Sequence, residues 1–165
     1  MSAPTSGSVP AAKRYKPWRP TTLEPSAREL QVLLGMSHGQ SYAQVGRSIG
    51  IAENTVRTHA RHLYRRTGAR DASHAVRIGF ERGWLVASAE VPAATSEVDG
   101  RPLQILQLLS EGLSYPRLAT RLGLRHFYVK ELSKKLYAAL GVHDRTHAVR
   151  RGFELGLLQP RGARA

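Results

Sequence analysis

The chain contains no cysteine, which excludes disulfide frameworks, thiolate zinc sites and cysteine nucleophiles. No stretch of 18 apolar residues occurs, so no segment qualifies as a membrane-spanning helix. Lys13, Arg14, Lys16 and Arg19 are not followed by the apolar run of an export signal, and a cytoplasmic, nucleoid-associated protein with no membrane partner is expected. Acidic residues are few, 12 against 25 Lys and Arg, leaving a formal charge of +13. That imbalance suits a polyanionic partner such as nucleic acid. Neither a nucleophile motif nor a phosphate-binding glycine loop is present, so no enzyme, no catalytic residue and no cofactor is expected. His59 and His62, and His143 and His147, have spacings compatible with metal ligation, but nothing completes either set and no metal site is expected. The 165 residues leave no room for a receiver, ligand-sensing or kinase domain beside the two units described next, and a stand-alone protein is expected.

What the chain does have is a duplication. Shifting residues 23–85 forward onto residues 96–158 without a gap superimposes Gly39 on Gly112, Gly50 on Gly123, Val56 on Val129, Leu63-Tyr64 on Leu136-Tyr137 and Gly68 on Gly141. His74 to Arg77 fall on His147 to Arg150, and Gly79-Phe80-Glu81 on Gly152-Phe153-Glu154. About 24 of about 63 aligned positions are identical, a period too long for a solenoid unit of roughly 20 to 50 residues. Two small tandem domains are expected, at 23–85 and 99–158. Each is near the lower size limit for folding alone.

The remaining segments read as connections. Residues 1–22 are rich in Pro, Ser, Ala and Gly with scattered cations, and are expected to form a flexible, disordered basic arm. Residues 86–98 read as a linker, spanning roughly 20 Å as a random coil and at most about 43 Å extended. Residues 159–165 form a basic tail.

Within the first unit, Ser26 and Glu29 have the spacing of a capping box, and a helix is expected from there to about His38, with Leu30, Leu33 and Leu34 as its apolar stripe. A second helix over Tyr42 to Ile49 follows Ser41, Gly50-Ile51 turns the chain, and a third runs from about Glu53 to Arg66 with Val56, Ala60 and Leu63 inward. Gly68 ends it, and a fourth helix from about Ala72 to Arg82 follows Asp71. The second unit repeats the plan from Asp99. The fold class expected is all-α: two tandem four-helix helix-turn-helix domains.

A short helix, a glycine turn and a second helix with one apolar and one cationic face is the layout that places a helix in the major groove. Gly39-x-Ser41, Val45, Ile49-Gly50-Ile51, Asn54 to His59, Leu63 to Arg66, Gly68 and Ala75-Val76 closely resemble the LuxR/GerE-type helix-turn-helix family. That resemblance implies a bacterial DNA-binding domain whose third helix enters the major groove and whose fourth often dimerises. By position it implies base reading by Arg57, Thr58 and Arg61 and a phosphate contact by Thr55, with His62 and Arg65 nearer the backbone. Arg57 and Arg61 share the face opposite Val56, Ala60 and Leu63, from which each can reach guanine O6 and N7 bidentately.

The second unit is expected to be a divergent copy. Lys130 and Lys134 keep cations at two reading positions, Glu131 places a carboxylate at the third, and Phe127, Tyr128 and Leu132 make the helix start more apolar. DNA contact through Tyr128, Lys130, Glu131 and Lys134, or contact with a protein partner, both fit this face. Gly79 and Gly152 sit mid-helix, where glycine costs about 1 kcal/mol relative to alanine. Close packing of the two fourth helices, within one chain or in a homodimer, is one compensation, and a local bend or tight packing inside each unit is another. The preferred function is a sequence-specific double-stranded DNA-binding transcriptional regulator, its domains acting as a covalent pseudo-dimer on adjacent half-sites. The alternatives are an adaptor whose second domain docks on RNA polymerase, a sigma factor or another copy of the chain, and a non-specific architectural DNA-binding protein.

Overall fold

The computed structural model describes residues 24–88 and 98–160. The expectations for the arm, for most of the linker and for most of the tail fall outside the described residues. Eight α-helices form, and no strand occurs among the described residues: α1 (Ala27–Ser37), α2 (Tyr42–Ile49), α3 (Glu53–Thr67), α4 (Ala72–Glu81), α5 (Gly100–Ser110), α6 (Tyr115–Leu122), α7 (His126–Leu140) and α8 (Arg145–Glu154). The all-α class expected from the sequence is the class observed.

Local chemistry sets the helix boundaries. The Ser26 hydroxyl accepts the Glu29 N–H while the Glu29 carboxylate accepts the Ser26 N–H, closing the capping box at α1. Ser41 and Gln44 close a second one at α2. Each box satisfies two of the backbone donors that a helix start leaves unpaired. Gly50 ends α2 with φ +70°, and Gly123 ends α6 with φ +64°. That left-handed geometry strains residues carrying a Cβ, so the turn between the paired helices requires glycine. Asp71 and Asp144 cap α4 and α8 by accepting the N–H groups of His74 and His147.

Each unit wraps its four helices around aliphatic side chains. Val32, Leu33, Met36, Val45, Val56, Ala60, Leu63 and Val76 fill the first, and Ile105, Leu106, Leu109, Leu118, Val129, Leu136 and Val149 the second. Burying each larger side chain contributes roughly 1.5–3 kcal/mol. The stripe of α1 differs from the expected one. Glu29, Val32, Leu33 and Met36 face inward, whereas Leu34 is 47% exposed. Glu29 enters the buried face because its carboxylate is held by the capping box and lies 3.3 Å from Arg66 Nε.

The two units pack through α4 against α8, with α1 also touching α8 and α5 touching α4. Phe80 and Phe153 stack at the centre, ring centroids 4.6 Å apart and planes 12° from parallel. Polar contacts flank the rings in a reciprocal pattern. Arg77 donates to Ser110 Oγ at 2.7 Å, and the equivalent Arg150 donates to Ser37 Oγ at 3.0 Å. All four side chains are buried. Each serine passes its own hydrogen to a carbonyl one helical turn back, Leu34 or Gln107, and each arginine also holds a carboxylate, Glu81 at 2.8 Å or Glu154 at 2.7 Å. Buried guanidinium groups are tolerated where charge and donors are both matched in this way. The exchange of equivalent contacts is the signature of a twofold interface.

The mid-helix glycines do not make this contact. A Cβ on Gly79 would meet Leu85 and Leu33 at 2.9–3.0 Å, and one on Gly152 would meet Leu158 and Leu106 at the same distances. Those leucines belong to the glycine's own unit. The fourth helices do pack on each other, as one reading expected, but through the aromatic pair; the role of Gly79 and Gly152 in that contact is corrected to the other reading, tight packing inside each unit, where each lets its helix approach α1 or α5 and the turn that follows it.

Candidate nucleic-acid interface

The glycine turn at Gly50 sets α3 across α2, and Val56, Ala60 and Leu63 anchor its inner face. Thr55, Arg57, Thr58, Arg61 and Arg65 are exposed on the other side, and His62 is half-buried. The sequence-derived reading residues thus lie together on one accessible cationic face. Arg57 is held on that face by two contacts: its Nη2 donates to Glu53 Oε1 at 2.8 Å, and its guanidinium lies over the Tyr42 ring, 5.3 Å from the centroid. Thr58 donates its hydroxyl hydrogen to the Asn54 carbonyl at 2.9 Å, leaving its oxygen as an acceptor. Arg61 has no hydrogen-bond or ion-pair partner among the described residues.

The tyrosines support this surface from within. The Tyr42 and Tyr64 hydroxyls lie 3.4 Å apart, and Tyr64 OH approaches Met36 Sδ at 3.5 Å. Burial, together with the Tyr42 contact, pushes the Tyr64 phenol far above its ordinary range. Tyr115 and Tyr137 repeat the pair at 2.9 Å. These phenols brace the first helix of each helix-turn-helix against the second.

The outer face of α7 carries different chemistry. Lys130 and Lys134 are exposed, and Lys134 Nζ lies 2.8 Å from the half-exposed Glu131 carboxylate. Tyr128 is 51% and Phe127 72% exposed. Leu132, read from the sequence as part of the same apolar cluster, is buried in the core instead. It takes the inner face beside Val129 and Leu136, one helical turn from each. Helices α3 and α7 make no contact with each other.

Sequence reasoning missed the buried Arg77, Arg150, Ser37 and Ser110, although all four positions are identical between the copies. Also missed were Arg145, whose Nη2 lies 3.2 Å from Asp71 Oδ2 and donates to the Leu109 and Leu113 carbonyls at 2.9 and 2.7 Å, and Arg70, which donates to the Glu111 carbonyl at 3.0 Å. Arg145 has only Ala72 as its counterpart, so no repeat signal marked it. Burial lowers the imidazole pKa values of His38, His74 and His147, and cations near each add to the effect. Among the described residues no group of three or more His, Cys, Asp or Glu could hold a metal ion, and no helix is long and apolar enough to cross a membrane.

Geometry of this kind defines a helix-turn-helix domain. Residues 26–78 match the family model GerE, described as bacterial regulatory proteins of the luxR family. The match takes in α1, α2, α3 and most of α4. Over 56 residues the chain is 34% identical to "Transcriptional activator protein EchR" of Dickeya chrysanthemi, a stretch covering 34% of this chain. The chain thus spans only 22% of that relative's length. No solved structure matches it.

Proposed function

We propose that the chain is a sequence-specific double-stranded DNA-binding transcriptional regulator, in which residues 99–158 form a second, divergent LuxR-type domain and the two domains act as a covalent pseudo-dimer on adjacent, non-identical half-sites. The observation that carries this reading is the reciprocal pairing of Arg77 with Ser110 and Arg150 with Ser37 around the Phe80–Phe153 stack. It joins the units through α4 and α8 and leaves the outer faces of α3 and α7 open. Arg57 and Arg61 read guanines, Thr58 accepts from a base edge, and Thr55, His62 and Arg65 sit against the backbone. Lys130 and Lys134 serve the second half-site, with Glu131 accepting from cytosine N4 and Tyr128 packing on sugar or thymine methyl groups. Linking two weak readers raises overall affinity by about 10²- to 10⁴-fold when both engage.

The experiment is selection of bound fragments from random DNA by the full chain, by Arg57→Ala with Arg61→Ala, and by Lys130→Ala with Lys134→Ala. Two half-motifs lost separately support the pseudo-dimer. A chain that enriches no motif sinks sequence-specific reading and leaves the non-specific architectural role, which predicts a steep salt dependence with little preference between DNAs.

One observation favours an adaptor as a second reading. Phe127 and Tyr128 are exposed next to the closed Glu131–Lys134 ion pair, a composition that also suits a contact with RNA polymerase, a sigma factor or another copy of the chain. Glu131→Lys separates the two: it strengthens DNA binding if α7 faces phosphate and weakens the partner contact if α7 faces protein.

A further inference from the structure

The junction of the two units carries an open groove of about 550 Å³ lined by Arg70 of the first unit and Leu113, Pro116, Arg117, Thr120 and Arg121 of the second. Three arginines thus line one concavity, and neither Arg117 nor Arg121 has an acidic partner among the described residues. Arg70 donates to a backbone carbonyl rather than a carboxylate, so its charge is not neutralised there. The twofold-related positions do not repeat this. Arg70, Arg117 and Arg121 correspond to His143, Gln44 and Ser48, and the only cation gained in exchange is Arg47 at the position of Thr120. On that other side of the junction the concavity is lined by Gln40, Gln44 and Asp144 among others.

The groove also adjoins the face proposed to meet DNA. In the first unit the first residue of α2, Tyr42, lies beneath Arg57. In the second, the first residue of α6, Tyr115, packs edge-on to His126 at the start of α7, ring centroids 6.4 Å apart. Pro116 and Arg117 directly follow Tyr115, so the groove begins where α6 meets the start of α7. A cationic concavity at that place, where the two units meet beside the start of α7, matches in charge the phosphates that join two half-sites.

We infer that the Arg70–Arg117–Arg121 groove holds backbone phosphates of DNA where the two half-sites meet, on one side of the pseudo-twofold only. This rests on the DNA-binding reading above. Arg117 and Arg121 fix register and orientation there without reading bases, and the second unit compensates through its backbone grip for the weaker reading face of α7. A free phosphate group offers the same chemistry, and the test separates the two sources.

The test compares the full chain with Arg117→Ala plus Arg121→Ala and with Arg117→Lys plus Arg121→Lys, measuring the salt dependence of binding to selected and to random duplex DNA. Both positions are exposed, and thermal melting checks that the variants fold. Each phosphate contact contributes about 0.9 to the slope of log K against log salt. The alanine pair is expected to lower that slope by about two, with equal fold-losses on the two DNAs, and the lysine pair to keep it. An unchanged slope in the alanine pair, or a loss confined to selected DNA, overturns the inference. Saturable shifts of the Arg117 and Arg121 Nε–H resonances with inorganic phosphate alone, together with an unchanged slope, assign the groove to a free anion and overturn it too. If the alanine pair loses capture of an acidic peptide but keeps its DNA slope, the groove is a protein contact. A wild-type chain that binds neither DNA defeats the proposed function itself, a result distinct from all of these.

Discussion

Phe80 and Phe153, 73 positions apart and aligned with each other in the repeat, face one another across the contact between units with ring centroids 4.6 Å apart. Truncating either ring removes apolar burial and the stacking contact together. Phe80→Ala or Phe153→Ala is expected to cost about 3 kcal/mol and to split a single unfolding transition into two, as the units lose their coupling. Calorimetry reads the transitions, and small-angle scattering reads the separation of the units. One unaltered transition would show that the rings do not couple them.

Buried charge makes Arg150 the more sensitive side of its pair with Ser37. Arg150→Met leaves the Glu154 carboxylate, whose side chain is 6% exposed, facing only Arg151 at 3.6 Å. A loss of about 3–5 kcal/mol is expected. Ser37→Ala removes one neutral partner and should cost about 1–3 kcal/mol. Adding Glu154→Gln to Arg150→Met should restore part of the loss, which urea denaturation of the four proteins measures.

Gly79→Ala tests the corrected role of the glycines. The new methyl meets Leu85 and Leu33 within 2.9–3.0 Å, an overpacking of about 1–3 kcal/mol partly offset by the roughly 1 kcal/mol gain in helix propensity. Stability should fall modestly, and the distance between the two units, read by a pair of fluorescent labels, should not change.

The histidines give the pairing a pH dependence. His38, His74 and His147 all have pKa values held below the ordinary 6.5, chiefly by burial. Arg150 opposes protonation of both His38 and His147, and Arg70 that of His74, while Asp144 and Asp71 favour it at His147 and His74. His74 Nδ1 also accepts the Arg70 N–H at 3.2 Å, a bond lost when that nitrogen is protonated. The unfolded chain therefore takes up protons on these rings at higher pH than the folded one. Stability contributed by the neutral rings is fully present above about pH 6.5 and is lost as pH falls through the lower folded values. Denaturation midpoints at pH 8 and below pH 6 check this, and His147→Gln should flatten the dependence.

Glu53 holds Arg57 by an exposed i, i+4 ion pair, a contact of roughly 0.2–0.5 kcal/mol. Glu53→Gln frees the guanidinium and removes a negative charge near the DNA face, so duplex affinity should rise about twofold in a fluorescence-anisotropy titration. A fall in affinity would mean that Glu53 orients Arg57 for binding.

Local signals carried much of the fold. The Ser26–Glu29 capping box, the Gly50 and Gly68 stops and the Val56, Ala60, Leu63 spacing each act within one or two helical turns, where sequence distance and spatial distance agree. Leu34 and Leu132 were misread because hydrophobicity alone does not fix helix phase: on α1 the stripe is completed by a buried Glu29 instead of a leucine. The arginines of the contact between units look like ordinary surface cations in sequence, and Arg150 meets Ser37 across 113 residues. Only the repetition of both residue types at matching positions hinted at a shared partner. For the candidate interface, the outer face of α3 followed from periodicity, but the Arg70, Arg117 and Arg121 groove did not. It arises from two units meeting, with each of its cations at a position the other copy fills with a different residue, His143, Gln44 or Ser48.

Because α4 and α8 belong to one polypeptide, their pairing is a first-order event that dilution does not reverse. A protein that must find a second copy loses paired species with the square of its concentration when scarce, whereas here the paired fraction is the same at a few molecules per cell as at thousands.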